Sequence, residues 1–103
     1  MWIAVIRLSL LIPGARSLKD RRQAVRSLKE RLKGRFDAAC SEVGDLETWN
    51  RAFLGLVLVS NEKALLQEMA DEISRYTQND PQVQVTGVEK DFLNYGDAAG
   101  NVR

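Results

Sequence analysis

Six segments follow one another along this 103-residue chain. An apolar run comes first, then a basic amphipathic run, a weak mixed run, a second apolar run, an acidic amphipathic run and a last alternating run. Read at periods of about 2 and about 3.6 residues, they give the order β-α-β-β-α-β. Right-handed crossovers place both helices on one face of the sheet. These observations predict an α+β fold, the ferredoxin-like βαββαβ sandwich, with a four-stranded sheet in the order 4-1-3-2. The first and third strands are the most apolar, as central strands should be. They are expected to pair in parallel, residues 2–12 with 51–60, within an otherwise antiparallel sheet.

The first strand, residues 2–12, has only Arg7 and Ser9 as polar members. Its alternation puts Ala4, Ile6, Leu8 and Leu10 on one side and Ile3, Val5, Arg7 and Ser9 on the other. Pro13 and Gly14 mark the turn into the first helix. Ser17 reads as its N-cap, with Asp20 three residues on as the partner of a capping box. Gly34 is the expected left-handed stop. Leu18, Val25, Leu28 and Leu32 form the apolar stripe. Phe36 to Val43 reads as a weaker edge strand, and Gly44 to Asn50 as a connection. Arg51 to Ser60 is the second strongly apolar strand. Asn61 is the expected cap of the second helix, with Glu62 in its first turn and Leu65, Leu66, Met69, Ile73 and Tyr76 on its apolar face. Asn79, Asp80 and Pro81 end it. Gln82 to Leu93 reads as the last strand, bulged at Gly87.

The chain is expected to be one domain over residues 1–93, with a mobile tail over 94–103. Its single cysteine, Cys40, excludes an internal disulfide framework. There is no histidine, which removes the commonest metal ligand and general base. No metal site and no cofactor is expected. Cys40 is expected to be a small buried hydrophobe. The N-terminal run lacks a basic leader and is too short to span a bilayer, so a cytoplasmic location and no membrane partner are expected.

Charge is the most informative pattern. Arg16 to Arg35, RSLKDRRQAVRSLKERLKGR, holds nine basic and two acidic residues, a net +7, whereas the whole chain is +1, so the remainder sums to −6. At about 100° per residue, Lys19, Arg22, Arg26, Lys29 and Lys33 share one flank of the first helix, and Arg21, Arg31 and Arg35 fall on the other side. A row of that kind points to a polyanion.

The motifs IPGARSLKDRR after the first strand, then SEVGDLETWNRAFLG, then VSNE opening a helix, run in that order through nearly the whole chain. Together they resemble the YlxP-like family of small bacterial proteins of unknown function, from about Ile3 to Val88. That resemblance implies a ferredoxin-like fold. It also implies genes that lie beside transcription-elongation, translation-initiation and ribosome-binding factors. It supplies no catalytic residues.

The expected function is a non-catalytic, RNA- or ribosome-associated accessory factor. Its candidate contacts are Lys19, Arg22, Arg26, Lys29 and Lys33 with Arg16 at the helix start. Trp49 and Arg51 are accessory candidates. Trp49 is expected to cover the end of the core, with base stacking as the alternative. The turn Pro13 to Arg16 is a weaker anion candidate, since helix N-termini favour phosphate. One alternative function is a self-associating interaction module, a homodimer through the helix-free face of the sheet, where Ile3 and Val5 must lie. The other is a small acyl-phosphate-type enzyme with Arg16 as an anion clamp, for which no glycine-rich loop is present.

Overall fold

The computed structural model describes residues 1–44 and 48–96. Its elements are β1 (Trp2–Leu11), α1 (Leu18–Phe36), β2 (Ala39–Val43), β3 (Arg51–Ser60), α2 (Lys63–Gln78) and β4 (Gln84–Asn94). The sheet order is β2-β3-β1-β4, the ferredoxin-like arrangement. The expected tail lies mostly in residues 97–103, outside the described residues. β4 itself runs to Asn94, and the Tyr95 N–H donates to the Met1 carbonyl at 2.8 Å.

The central pair is antiparallel, not parallel: Trp2 faces Ser60 and Leu11 faces Arg51. Each crossover does make its own two strands run the same way, β1 with β2 and β3 with β4. The β2–β3 hairpin reverses the chain between them, and interleaving sets each parallel partner one strand away. Every neighbouring pair is therefore antiparallel. The β1–β4 ladder shifts register where Ser9 faces Gly87 and Leu10 faces Val85, so Thr86 is the extra residue of the bulge expected at Gly87.

Strict alternation on the central strands builds the core. Ala4, Ile6, Leu8 and Leu10 of β1 and Ala52, Leu54, Leu56 and Leu58 of β3 point toward the helices and are buried. Above them lie Ala24, Val25, Leu28, Leu32 and Phe36 of α1, and Leu66, Ala70 and Ile73 of α2. Leu18 is only half-buried and Leu65 is exposed, so the buried stripes sit slightly round from the expected ones.

The helix ends also differ from expectation in chemistry. Ser17 Oγ caps α1 by accepting the Asp20 N–H at 3.2 Å, while the Asp20 carboxylate takes the Arg16 N–H at 3.1 Å, one residue before the usual box partner. Gly34 does not stop α1. The helix runs on to Phe36, whose burial rewards another turn, and Asp37 caps it at φ 50°, in the left-handed region that Asp tolerates. Glu62, not Asn61, is the N-cap of α2, and its N–H is taken by Ser60 Oγ at 3.0 Å.

Candidate nucleic-acid interface

α1 carries its basic residues on three sides, and the structure gives each side a different role. Arg21 points inward. Its side chain is 1% exposed, Nε donates to the Arg51 carbonyl at 2.8 Å, and Nη2 pairs with Glu42. It clamps the start of β3 and the edge strand β2 to the helix. No sequence pattern distinguishes it from its basic neighbours except its angle, close to that of Leu28 on the wheel.

Arg31 points toward α2. It pairs with Asp80 at 2.6 Å, donates to the Tyr76 hydroxyl at 3.1 Å, and the Asp80 side chain is itself 1% exposed. The Asp80 hydrogen bond raises the Arg31 pKa above its ordinary value. Asp80 also accepts the Gln82 N–H at 2.7 Å, so one carboxylate orders the turn after α2 and ties it to α1.

The third side is the predicted flank. Lys19, Arg22, Arg26 and Lys33 are exposed and Lys29 is half-buried. Burial raises the Cys40 thiol pKa, and Lys29 and Lys33 stand close enough to β2 to offset part of that rise, which places this side of α1 toward β2. Lys33 has one weak partner, Glu30 at 4.0 Å. Among the described residues, Lys19, Arg22, Arg26 and Lys29 have no carboxylate within ion-pair distance. Spaced three or four residues apart, the five cations span roughly 21 Å of helix axis at about 1.5 Å per residue.

Arg16 is exposed at the helix start, beside the turn from β1 into α1. The Asp20 carboxylate already occupies the Arg16 N–H. A cavity of about 340 Å³ beside the turn is lined by that carboxylate, Gln23, Gln82 and small apolar residues. One backbone donor of the turn is thus taken, and a carboxylate stands beside it.

Trp49 does not cover the core. It is 49% exposed and absent from the side chains packed against the buried cluster. Arg51 beside it is exposed, with its carbonyl held by Arg21. Among the described residues, the aromatic platform that stacks bases on some sandwiches of this shape is missing from the open face of the sheet. Phe53 is half-buried there, beneath the Arg7 guanidinium at 4.4 Å, and Arg7 pairs with Glu89 at 3.1 Å.

Cys40 is buried and free, and burial pushes its thiol up to about 11, so it stays protonated at neutral pH. Among the described residues no group of three His, Cys, Asp or Glu side chains is placed to hold a metal ion, and no helix is long and apolar enough to cross a membrane.

Similarity to known proteins agrees with the motif resemblance. The chain is 25% identical over 76 residues to the uncharacterized protein YlxP of Bacillus subtilis (strain 168), a match that covers 74% of this chain and 83% of that protein. Residues 3–90 match a family described as a protein of unknown function, DUF503. With the motifs, the fold and a match over most of its length in agreement, the chain belongs to the DUF503 family of proteins of unknown function.

Proposed function

We propose that this protein is an RNA-binding accessory factor, without catalysis of its own, that holds a phosphate backbone along the outer flank of α1. The observation that supports this reading is the division of labour on that helix. Arg21 and Arg31 are consumed by Glu42 and Asp80, yet among the described residues Lys19, Arg22, Arg26 and Lys29 have no such partner, and they line up on one side. A solvated face needs charge, but it needs neither a single sign nor alignment. The genomic neighbourhood implied by the family resemblance directs the test to ribosomal subunits.

The test is co-sedimentation with purified ribosomal subunits, and binding to a single-stranded RNA, over a range of salt. If three to five of the cations make contact, log K falls against log salt with a slope of about −2 to −3.5, at about −0.7 per phosphate. Replacing Arg22, Arg26 and Lys29 together by Glu leaves the fold intact, since none is in the buried cluster, and abolishes binding. A folded triple variant with unchanged affinity and slope would refute the proposal. Trp49→Ala costs about 1–3 kcal/mol of affinity if a base stacks on the exposed ring.

A second reading is favoured by a separate observation. Val59, Ile3 and Leu93 form one row across the helix-free face and Val57 and Val5 the next, with Val59 62% exposed. A continuous apolar strip is uncommon on an isolated domain. Arg7, Glu89 and Asp91 border it, so both charge signs are present for a two-fold copy to match. Self-association through this face leaves the flank of α1 free.

A further inference from the structure

The side of α1 opposite the basic flank meets α2 in a cleft of about 450 Å³ lined by Arg35, Phe36, Glu72, Arg75, Tyr76 and Asn79. Ligand pockets of small molecules begin at about 300 Å³. The cleft is built on rigid parts. Phe36 is buried in the core and meets the Tyr76 ring edge-on at 6.0 Å between centroids. The Tyr76 hydroxyl is held by Arg31, which Asp80 fixes in turn. The Arg35 guanidinium lies over the same ring, 4.9 Å from its centroid, and 5.9 Å from that of Phe36. Arg35 is thus a plate laid on an aromatic base, with its residue exposed to solvent.

The charges around this plate are unbalanced. Arg31 is satisfied by Asp80, but among the described residues neither Arg35 nor Arg75 has a carboxylate within ion-pair distance. Among the described residues Glu72 is the one acid lining the cleft, and it pairs with neither. Asn79 adds an amide with a donor and an acceptor. A planar cation backed by a tyrosine, a second free guanidinium and an amide are the parts that recognise a planar base carrying a phosphate: stacking on the guanidinium, a forked contact to the phosphate, and edge hydrogen bonds.

We propose that this cleft binds one unpaired nucleotide, its base stacked on Arg35 and its phosphate on Arg75, with Asn79 and Glu72 facing the base edge. The nucleotide is either free or part of an RNA strand. The cleft shares no residue with the outer flank of α1, so it stands apart from the proposal made for that flank.

The experiment is an amide-resonance titration of the whole protein with AMP, GMP, inorganic phosphate, a single-stranded pentaribonucleotide and an RNA duplex of defined length. The expected result is a saturable shift of the Arg35, Tyr76 and Asn79 signals with a nucleotide-bearing probe, and not with phosphate alone. Arg35→Lys keeps the charge but removes the plate, and should weaken that binding roughly fivefold. Arg35→Ala with Arg75→Ala should abolish the shifts while the spectrum stays that of a folded chain.

Saturation by AMP or GMP at least as tight as by the pentaribonucleotide assigns the free source. Much tighter binding of the pentaribonucleotide than of either mononucleotide, with none of the duplex at these signals, assigns an unpaired nucleotide within RNA. Either supports the site. No shift at these residues with any nucleotide, or shifts indifferent to the double substitution, overturns it and leaves Arg35 and Arg75 as charges complementing the helix C-termini. The Arg22, Arg26 and Lys29 triple variant should keep the cleft shifts, so failure of the flank and failure of the cleft are told apart.

Discussion

The Arg21–Glu42 pair allows a prediction whose size and order both follow from burial. Arg21 is 1% exposed, whereas Glu42 is 23% exposed at the edge strand. Glu42→Leu leaves a guanidinium buried without its counter-charge. Stranding a buried charge costs about 3–5 kcal/mol. Arg21→Met leaves a carboxylate that can turn toward water, and removes the donor to the Arg51 carbonyl at 2.8 Å. Its cost should be smaller, about 1–3 kcal/mol, set by the unsatisfied carbonyl and the partial burial of Glu42. The double substitution removes both charges and should lie within about 1–2 kcal/mol of the parent, since apolar replacements of buried pairs are often near neutral. The assay is urea unfolding followed by circular dichroism, with thermal melts as a check. A loss of about 3 kcal/mol corresponds to roughly 12–20 °C in Tm for a domain of this size. Arg21→Met should bind RNA as well as the parent while folded. The reasoning is refuted if Arg21→Met proves the more damaging single change, or if both singles cost under about 1 kcal/mol.

Gly34→Ala tests the helix end: a Cβ there meets nothing within 4 Å, so the change should stabilise by about 0.5–1 kcal/mol, where a true left-handed stop would lose stability. Cys40 gives a pH dependence. The folded thiol keeps its proton to about 11 while the unfolded one titrates near 9.0, so stability is flat below 9.0 and falls as pH rises from there through 11. In Cys40→Ala that decline should vanish from unfolding midpoints measured across the window, and thiol labelling of the parent at pH 8 should require unfolding. Sedimentation equilibrium at tens of micromolar should show a dimer, with Val5→Lys or Val59→Lys returning it to monomer; a monomeric parent would count against the sheet-face contact.

The fold was legible because the periodicities are clean. Ala4-Ile6-Leu8-Leu10 and Ala52-Leu54-Leu56-Leu58 mark the same face of two strands, and Ser17 announces the first helix through a local bond. The direction of pairing between β1 and β3 was not legible in those runs. It depends on counting chain reversals, and hydrophobic pattern is blind to direction. The helix ends depended on tertiary reward: burial of Phe36 carries α1 past Gly34, which no local propensity records. Among the site residues, the outer flank followed from helical geometry alone. The roles of Arg21 and Arg31 did not, because their partners Glu42 and Asp80 are 21 and 49 residues away. Trp49 was misplaced for a similar reason. Whether a loop aromatic turns inward depends on room at the end of the core, and Ile12, anchored by its N–H to the Asn50 carbonyl at 2.8 Å, lies buried there.

The pairing of Trp2 with Asn94 has a consequence for how the chain folds as it is made. Of the six described elements β1 is synthesised first, but one of its two neighbours is the last of them to appear. Until β4 emerges, β1 offers a bare row of backbone donors and acceptors along an apolar ribbon, the kind of edge that captures other chains. Closing the ladder requires contacts between the two ends of the domain, so the loop-closure cost is the largest this topology contains. A nascent chain truncated before Gln84 should therefore need protection from aggregation that the finished chain does not, and a permuted chain with β4 moved ahead of β1 should fold faster through a local hairpin.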